Sequence, residues 1–141
     1  KLGLKELLLM KKYNTVIIGG GPAGYTAALY AARAGLSVIV LEMLSPGGQM
    51  ATTTEIDNYP GFEETVDGFD LAQKMKAGAE RFGVESEFAE VIEIDLKSDI
   101  KTIKTTSGDF EADTVILATG ASRAKENSEE EEYHTALHAT E

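Results

Sequence analysis

Residues 13–42 read YNTVIIGGGPAGYTAALYAARAGLSVIVLE, and the architecture is legible in this run. Tyr13–Ile18 is β-branched and apolar and stops at three glycines, the pattern of a buried strand. Pro22–Arg33 is alanine-rich and reads as a helix. Its proline sits in the first turn, where the missing N–H has no intrahelical partner to lose. Gly35 is placed to close that helix in a left-handed conformation. Ser37–Leu41 is a second apolar run of strand character. Two buried strands joined by a helix form a βαβ unit, which requires a parallel pair and a right-handed crossover.

The turn between the first strand and the helix spells G-x-G-x-x-G: Gly19, Gly21 and Gly24, with Pro22 and Ala23 between the last two. In this strand–turn–helix setting the pattern has a mechanism. Gly19 permits the tight turn, Gly21 lets the backbone approach a pyrophosphate, and Gly24 lets the helix pack closely. The helix N-terminus offers unpaired N–H groups and the positive end of its dipole to that diphosphate. Glu42 follows Gly24 by eighteen residues, at the end of the second strand. A carboxylate there accepts hydrogen bonds from ribose hydroxyls and repels a 2′-phosphate, which disfavours NADP at this site. FAD and NAD both satisfy these two features.

Outward from this core, residues 43–62 form a long Gly- and Thr-rich stretch containing Gly48, Gln49, Thr53 and Asn58. A loop of that length in a compact domain usually serves a function. The spacing predicts a helix over 67–82 with Phe69, Ala72, Met75 or Lys76, and Ala79 on one face, and Gly83 as the stop. Strand-like runs follow at 84–88, 91–96 and 100–105. A turn at 107–109 leads to a buried strand at 114–118, ending in Ala118-Thr119-Gly120. These elements predict an α/β fold: a Rossmann-like central parallel sheet with a small antiparallel β layer from residues 84–112.

Three linked runs carry a resemblance: IIGGGPAGYTAALYAARAGLSVIVLE, then GGQMATTTEIDNYPGF, then VILATGAS. In that order and spacing they resemble the amino-terminal FAD-binding segment of bacterial-type thioredoxin reductases, over about residues 13–123. The resemblance implies FAD as the cofactor and the FAD/NAD-linked variant of the Rossmann sheet. It implies that Gly48, Gln49, Thr53 and Asn58 run along the flavin, and that Ala118, Thr119 and Gly120 turn the chain beside it. It further implies a homodimer, a cytoplasmic location, and a parent protein passing electrons from NAD(P)H through FAD to a CxxC disulfide and on to a thioredoxin-like partner.

The rest of the sequence bounds that reading. The chain has 141 residues, 43% of them hydrophobic, enough for one packed domain. Its formal net charge of −11 makes nucleic acid an unlikely partner and an anionic membrane surface no better. No apolar run approaches the length of a membrane span. There is no cysteine, hence no thiolate metal site and no CxxC pair in these residues. A second glycine-rich turn and the later Gly-Asp motif of the family are also missing from the sequence. Residues 1–12 read as a leader or extension and 124–141 as an acidic tail that departs from the family pattern. Glu131, His134 and His138 share a helical spacing but lack the zinc-protease pattern, so the tail reads as solvated and no metal ligand is assigned. Arg33 and Arg123 read as surface cations, and no catalytic residue is assigned. The expected function is therefore the FAD-binding portion of a flavoprotein oxidoreductase, with an open sheet edge and exposed apolar surface. The rival readings are a non-catalytic adenine-dinucleotide-binding module and an NAD-dependent enzyme whose substrate domain lies on another chain.

Overall fold

The computed structural model describes residues 10–121. Residues 1–9 of the leader, Arg123, and the acidic tail with Glu131, His134 and His138 lie outside the described residues, whereas Lys11 and Lys12, read as leader, open the first strand. In chain order the elements are β1 (Lys11–Ile18), α1 (Pro22–Arg33), β2 (Val38–Glu42), a 3₁₀ turn (Gly48–Thr52), α2 (Gly68–Glu80), β3 (Glu85–Phe88), β4 (Val91–Asp95), β5 (Lys101–Thr105) and β6 (Asp109–Leu117). They build one six-stranded sheet in the order β3-β2-β1-β6-β5-β4. The β1–β2, β2–β3 and β1–β6 pairs are parallel, while β4–β5 and β5–β6 are antiparallel.

Strand periodicity sorts the core into two faces. Ile17, Val38 and Val40 point toward the helices and pack with Tyr25, Ala28, Ala79 and Val84. Val16, Ile18, Ile39 and Leu41 point the other way and pack with Ala89, Ile103 and Phe110. The second face is thus covered by residues of the antiparallel portion, and all five residues of β2 are buried. Each fully buried aliphatic side chain of this kind is worth about 1.5–3 kcal/mol in transfer free energy.

The βαβ unit stands as expected, with Gly35 at φ +86° closing α1. Three further details depart from the sequence reading. The 84–88 run is not antiparallel: it pairs parallel with β2, from Ile39↔Glu85 to Glu42↔Phe88, and belongs to the central sheet. The last strand begins at Asp109 rather than 114, because residues 110–112 are held between β1 on one side and β5 on the other. In α2 the buried stripe is Gly68, Leu71, Ala72 and Ala79, and Phe69 is 52% exposed. Ala72 and Ala79 fix the phase of that stripe, and Phe69 falls about a quarter-turn outside it. Asp67 caps the helix, accepting from the Asp70 N–H at 3.0 Å.

Thr114–Leu117 pair with β1 alone, since β5 covers only residues 109–112 of β6. Among the described residues nothing pairs with the second edge of that segment, and Leu117 is 47% exposed. No helix of the described residues is long and apolar enough to cross a membrane.

Candidate functional site

β1, β2 and β6 end at the same level, with Ile18 paired to both Leu41 and Leu117. Ligand sites of open α/β sheets gather beyond such carboxyl ends. The Gly19 N–H donates to the Leu41 carbonyl (2.8 Å) and the Ala118 N–H to the Ile18 carbonyl (2.8 Å). The glycine turn and the segment after β6 are thereby fixed to each other's strands.

Each glycine of the turn has a different task. Gly19 adopts φ +104°, and a Cβ there would lie 2.2 Å from the Ala118 carbonyl oxygen. A Cβ on Gly24 would lie 1.9 Å from the Gly19 carbonyl oxygen, so helix and turn touch through backbone. A Cβ on Gly21 would meet nothing within 4 Å. No described residue occupies the space over Gly21. Gly21 is also the N-cap of α1, with no side-chain cap and no acidic residue in the first turn. The first intrahelical bond runs from the Tyr25 N–H to the Gly21 carbonyl at 3.0 Å. Pro22 has no N–H, so the Ala23 and Gly24 donors stand without an intrahelical acceptor at that open space.

The loop after β2 closes on the same place. The Gly47 N–H donates to the Gly20 carbonyl (2.7 Å), and Gly48, at φ +56°, points toward Gly21. The Gln49 side-chain amide donates to the Ala121 carbonyl, which ties this loop to the segment Ala118–Ala121. Thr53 is exposed, with its backbone joined to Met50 and Gly68. Asn58 is exposed in a loop closed by the Ile56–Val66 bridge, and no hydrogen bond connects it to the cluster. The structure therefore gathers Gly19, Gly21, Pro22, Ala23, Gly24, Gly48, Gln49, Ala118, Thr119 and Gly120 at one sheet end. It leaves Thr53 and Asn58 without a bond into that group.

Glu42 is 5% exposed, at the end of β2. It lines a small cavity with Tyr25, Pro46, Lys76, Ser86, Glu87 and Phe88. The Tyr25 hydroxyl lies 3.4 Å from Glu42 Oε2 and 3.5 Å from Ser86 Oγ. Burial pushes the Glu42 carboxyl up to about 7 from its ordinary 4.5, against the hydrogen bond from Tyr25 and the charge of Lys76, which both favour ionisation. Burial, with the nearby carboxylate, likewise pushes the Tyr25 phenol up to about 12, so it remains a donor at neutral pH. The carboxylate presses on the turn, since a Cβ on Gly20 would lie 2.0 Å from Glu42 Oε2. Gly20 and Tyr25 are the site residues that sequence reasoning missed. The signals were a third consecutive glycine where the pattern asks for none, and a phenol in an otherwise alanine-rich helix.

This arrangement fits a dinucleotide: free donors and an open glycine where a diphosphate needs close approach, and a buried acceptor one strand away. The family model for pyridine nucleotide-disulphide oxidoreductases matches residues 13–140. The chain belongs to that family. It is 44% identical over 115 residues to a thioredoxin reductase of Listeria monocytogenes, covering 82% of this chain and 36% of that protein. The fold superposes on thioredoxin reductases of Gloeobacter violaceus (TM-score 0.78, 38% identity, 82% of this chain and 39% of that one) and Streptococcus pyogenes (0.76, 47%, 82% and 38%). The chain thus spans little more than a third of the length of these relatives and matches their amino-terminal part.

Proposed function

We propose that this chain is the FAD-binding portion of a thioredoxin-reductase-like flavoprotein oxidoreductase. The observation that carries the reading is the free space over Gly21, bordered by unpaired helix donors, by Gly48 and, one strand away, by the buried Glu42. In this reading the Ala23 and Gly24 N–H groups take the pyrophosphate and Glu42 accepts the hydroxyls of the adenosine ribose. Gly48, Gln49, Thr53 and Asn58 face the flavin, and Ala118–Gly120 turn the chain beside it. Bound FAD supplies the two-electron chemistry; these residues bind and orient it and keep the strand ends in register.

The unit that binds is residues 13–123. In the full-length parent, NAD(P)H is the electron donor, a protein disulfide the acceptor, and a thioredoxin-like protein the partner, in a cytoplasmic homodimer. The sulfurs of the dithiol step are not among these 141 residues, so disulfide reduction belongs to the parent and not to this chain alone.

The test is the visible absorbance of the purified chain, before and after incubation with FAD, with mass spectrometry of ligand released by heat. The expected result is a flavin spectrum and FAD at one equivalent. A colourless chain that takes up no added FAD refutes the flavin assignment. Equal uptake of ADP and FAD with no flavin spectral shift would support an adenine-side module instead.

A further inference from the structure

We propose that Tyr25 is a positioning residue, whose buried hydroxyl, backed by Ser86, favours the carboxylate form of Glu42 against its burial and orients it for a ribose diol. The inference rests on the reading of Glu42 as the ribose acceptor and goes beyond it by assigning how that acceptor is kept competent.

Among the described residues Glu42 makes no salt bridge: Lys76 on α2, which lines the same cavity, is bonded to Glu80 at 3.3 Å. An unpaired buried carboxylate tends to take up a proton, and a protonated carboxyl loses acceptor capacity toward two hydroxyls. Within hydrogen-bonding range of Glu42 the described residues offer the Tyr25 hydroxyl as donor, at 3.4 Å. That phenol is 2% exposed and sits on the first turn of α1, directly after the glycine that seats the helix on the turn. A phenol has one proton. Given to Glu42, it leaves the phenol oxygen to accept from Ser86 on β3, 3.5 Å away. Gly20 closes the side toward the turn. Among the described residues, the charged and titratable groups that face the carboxylate are Tyr25 from α1 and Lys76 from α2 with its partner Glu80, with Ser86 a neutral neighbour; Glu87 of β3 pairs with Leu41 and turns its carboxylate to Lys11 and Ser107 on the other face. Of these, Tyr25 and Lys76 favour the ionised form. The same helix therefore serves both ends of the nucleotide: backbone donors for the diphosphate, and a phenol that holds the ribose acceptor.

The consequence is a pH signature in binding. Ionised Glu42 binds the ribose, so FAD affinity is highest above the titration of Glu42 and weakens below it. Tyr25→Phe removes a donor to the ionised form and moves the midpoint to higher pH. The experiment measures FAD dissociation constants of the whole chain by flavin fluorescence between pH 5.5 and 9. The diphosphate diester of FAD does not titrate in that range. Wild type is expected to weaken up to tenfold per pH unit below its midpoint, the limit for one proton. In Tyr25→Phe the midpoint rises by about 0.5–1 unit and affinity recovers at pH 9. Ser86→Ala shows a smaller rise, and Glu42→Gln binds weakly at every pH with a flat profile.

A packing role for Tyr25 would instead lower affinity by the same factor at every pH, and that result overturns the proposal. A pH profile retained in Glu42→Gln overturns it as well. If Tyr25→Phe does not fold, Ser86→Ala carries the test, and an unmoved midpoint there refutes it. Wild type that binds no FAD at any pH overturns the nucleotide reading together with this inference. Binding with an unmoved midpoint in the Tyr25 variant overturns the inference alone.

Discussion

Burial of Glu42 works against the fold, and the effect can be measured. In the native chain its carboxyl titrates near 7, and in the unfolded chain near the ordinary 4.5. Below pH 4.5 the group is protonated in both states, and its contribution to stability is fully present. Between 4.5 and 7 the unfolded chain releases the proton while the native chain keeps it, so stability falls as pH rises. Above 7 both states are ionised and the loss is complete. At 1.36 kcal/mol per unit the interval corresponds to about 3 kcal/mol, a sizeable part of a small domain's net stability. Glu42→Gln replaces the carboxyl by a neutral group of the same shape. Urea unfolding of the nucleotide-free variant and wild type at pH 4 and pH 8.5 should give similar stabilities at pH 4. At pH 8.5 the variant should be more stable by about 2–3 kcal/mol. Comparing the two proteins at each pH cancels the other titrating groups. A difference that is the same at both pH values would refute the reasoning, because it would show that Glu42 ionises in the native state as easily as in water.

Gly24→Ala places a Cβ against the Gly19 carbonyl, backbone against backbone, and should cost about 1–3 kcal/mol in denaturant unfolding along with more than tenfold in FAD affinity. Gly20→Ala meets the movable end of Glu42 instead; its unfolding free energy should change by less than about 1 kcal/mol while FAD titration shows a clear loss of affinity. Equal stability losses in the two variants would contradict this division of roles. Asp67→Ala removes the cap of α2 and should lower the unfolding free energy by about 1 kcal/mol in urea titrations.

The central fold was readable because its signals are local. An apolar run, a glycine turn, an alanine-rich helix and a second apolar run each declare themselves within a few residues. The G-x-G-x-x-G pattern likewise located Gly19 and Gly24, whose tasks are set by their own backbone. Gly20 was missed because its constraint comes from Glu42, a residue on the next strand. The burial of Glu42 was not legible either, since its cover includes Lys76 from α2 and Ser86 from β3, and no local pattern encodes that convergence. The pairing of 85–88 with β2 and the phase of α2 failed for the same reason: both depend on which distant surface the segment meets. Gln49 lay in a recognised motif, but its bond to the Ala121 carbonyl joins two segments whose proximity only the sheet order reveals.

The level ends of β1, β2 and β6 have a kinetic consequence. β1 and β2 are neighbours in the chain and can pair early, but β6 reaches β1 only after nearly the whole described chain has been laid down between them. Closing a loop of that size costs chain entropy before any contact returns it, so this pairing is a late event in folding. The floor beneath the glycine turn, set by the Ala118 N–H on the Ile18 carbonyl, does not exist until then. During synthesis a nascent chain would carry the complete glycine motif and Glu42 long before it offered a finished binding surface. Nucleotide capture would therefore report the docking of the last strand, and would act as a latch on it.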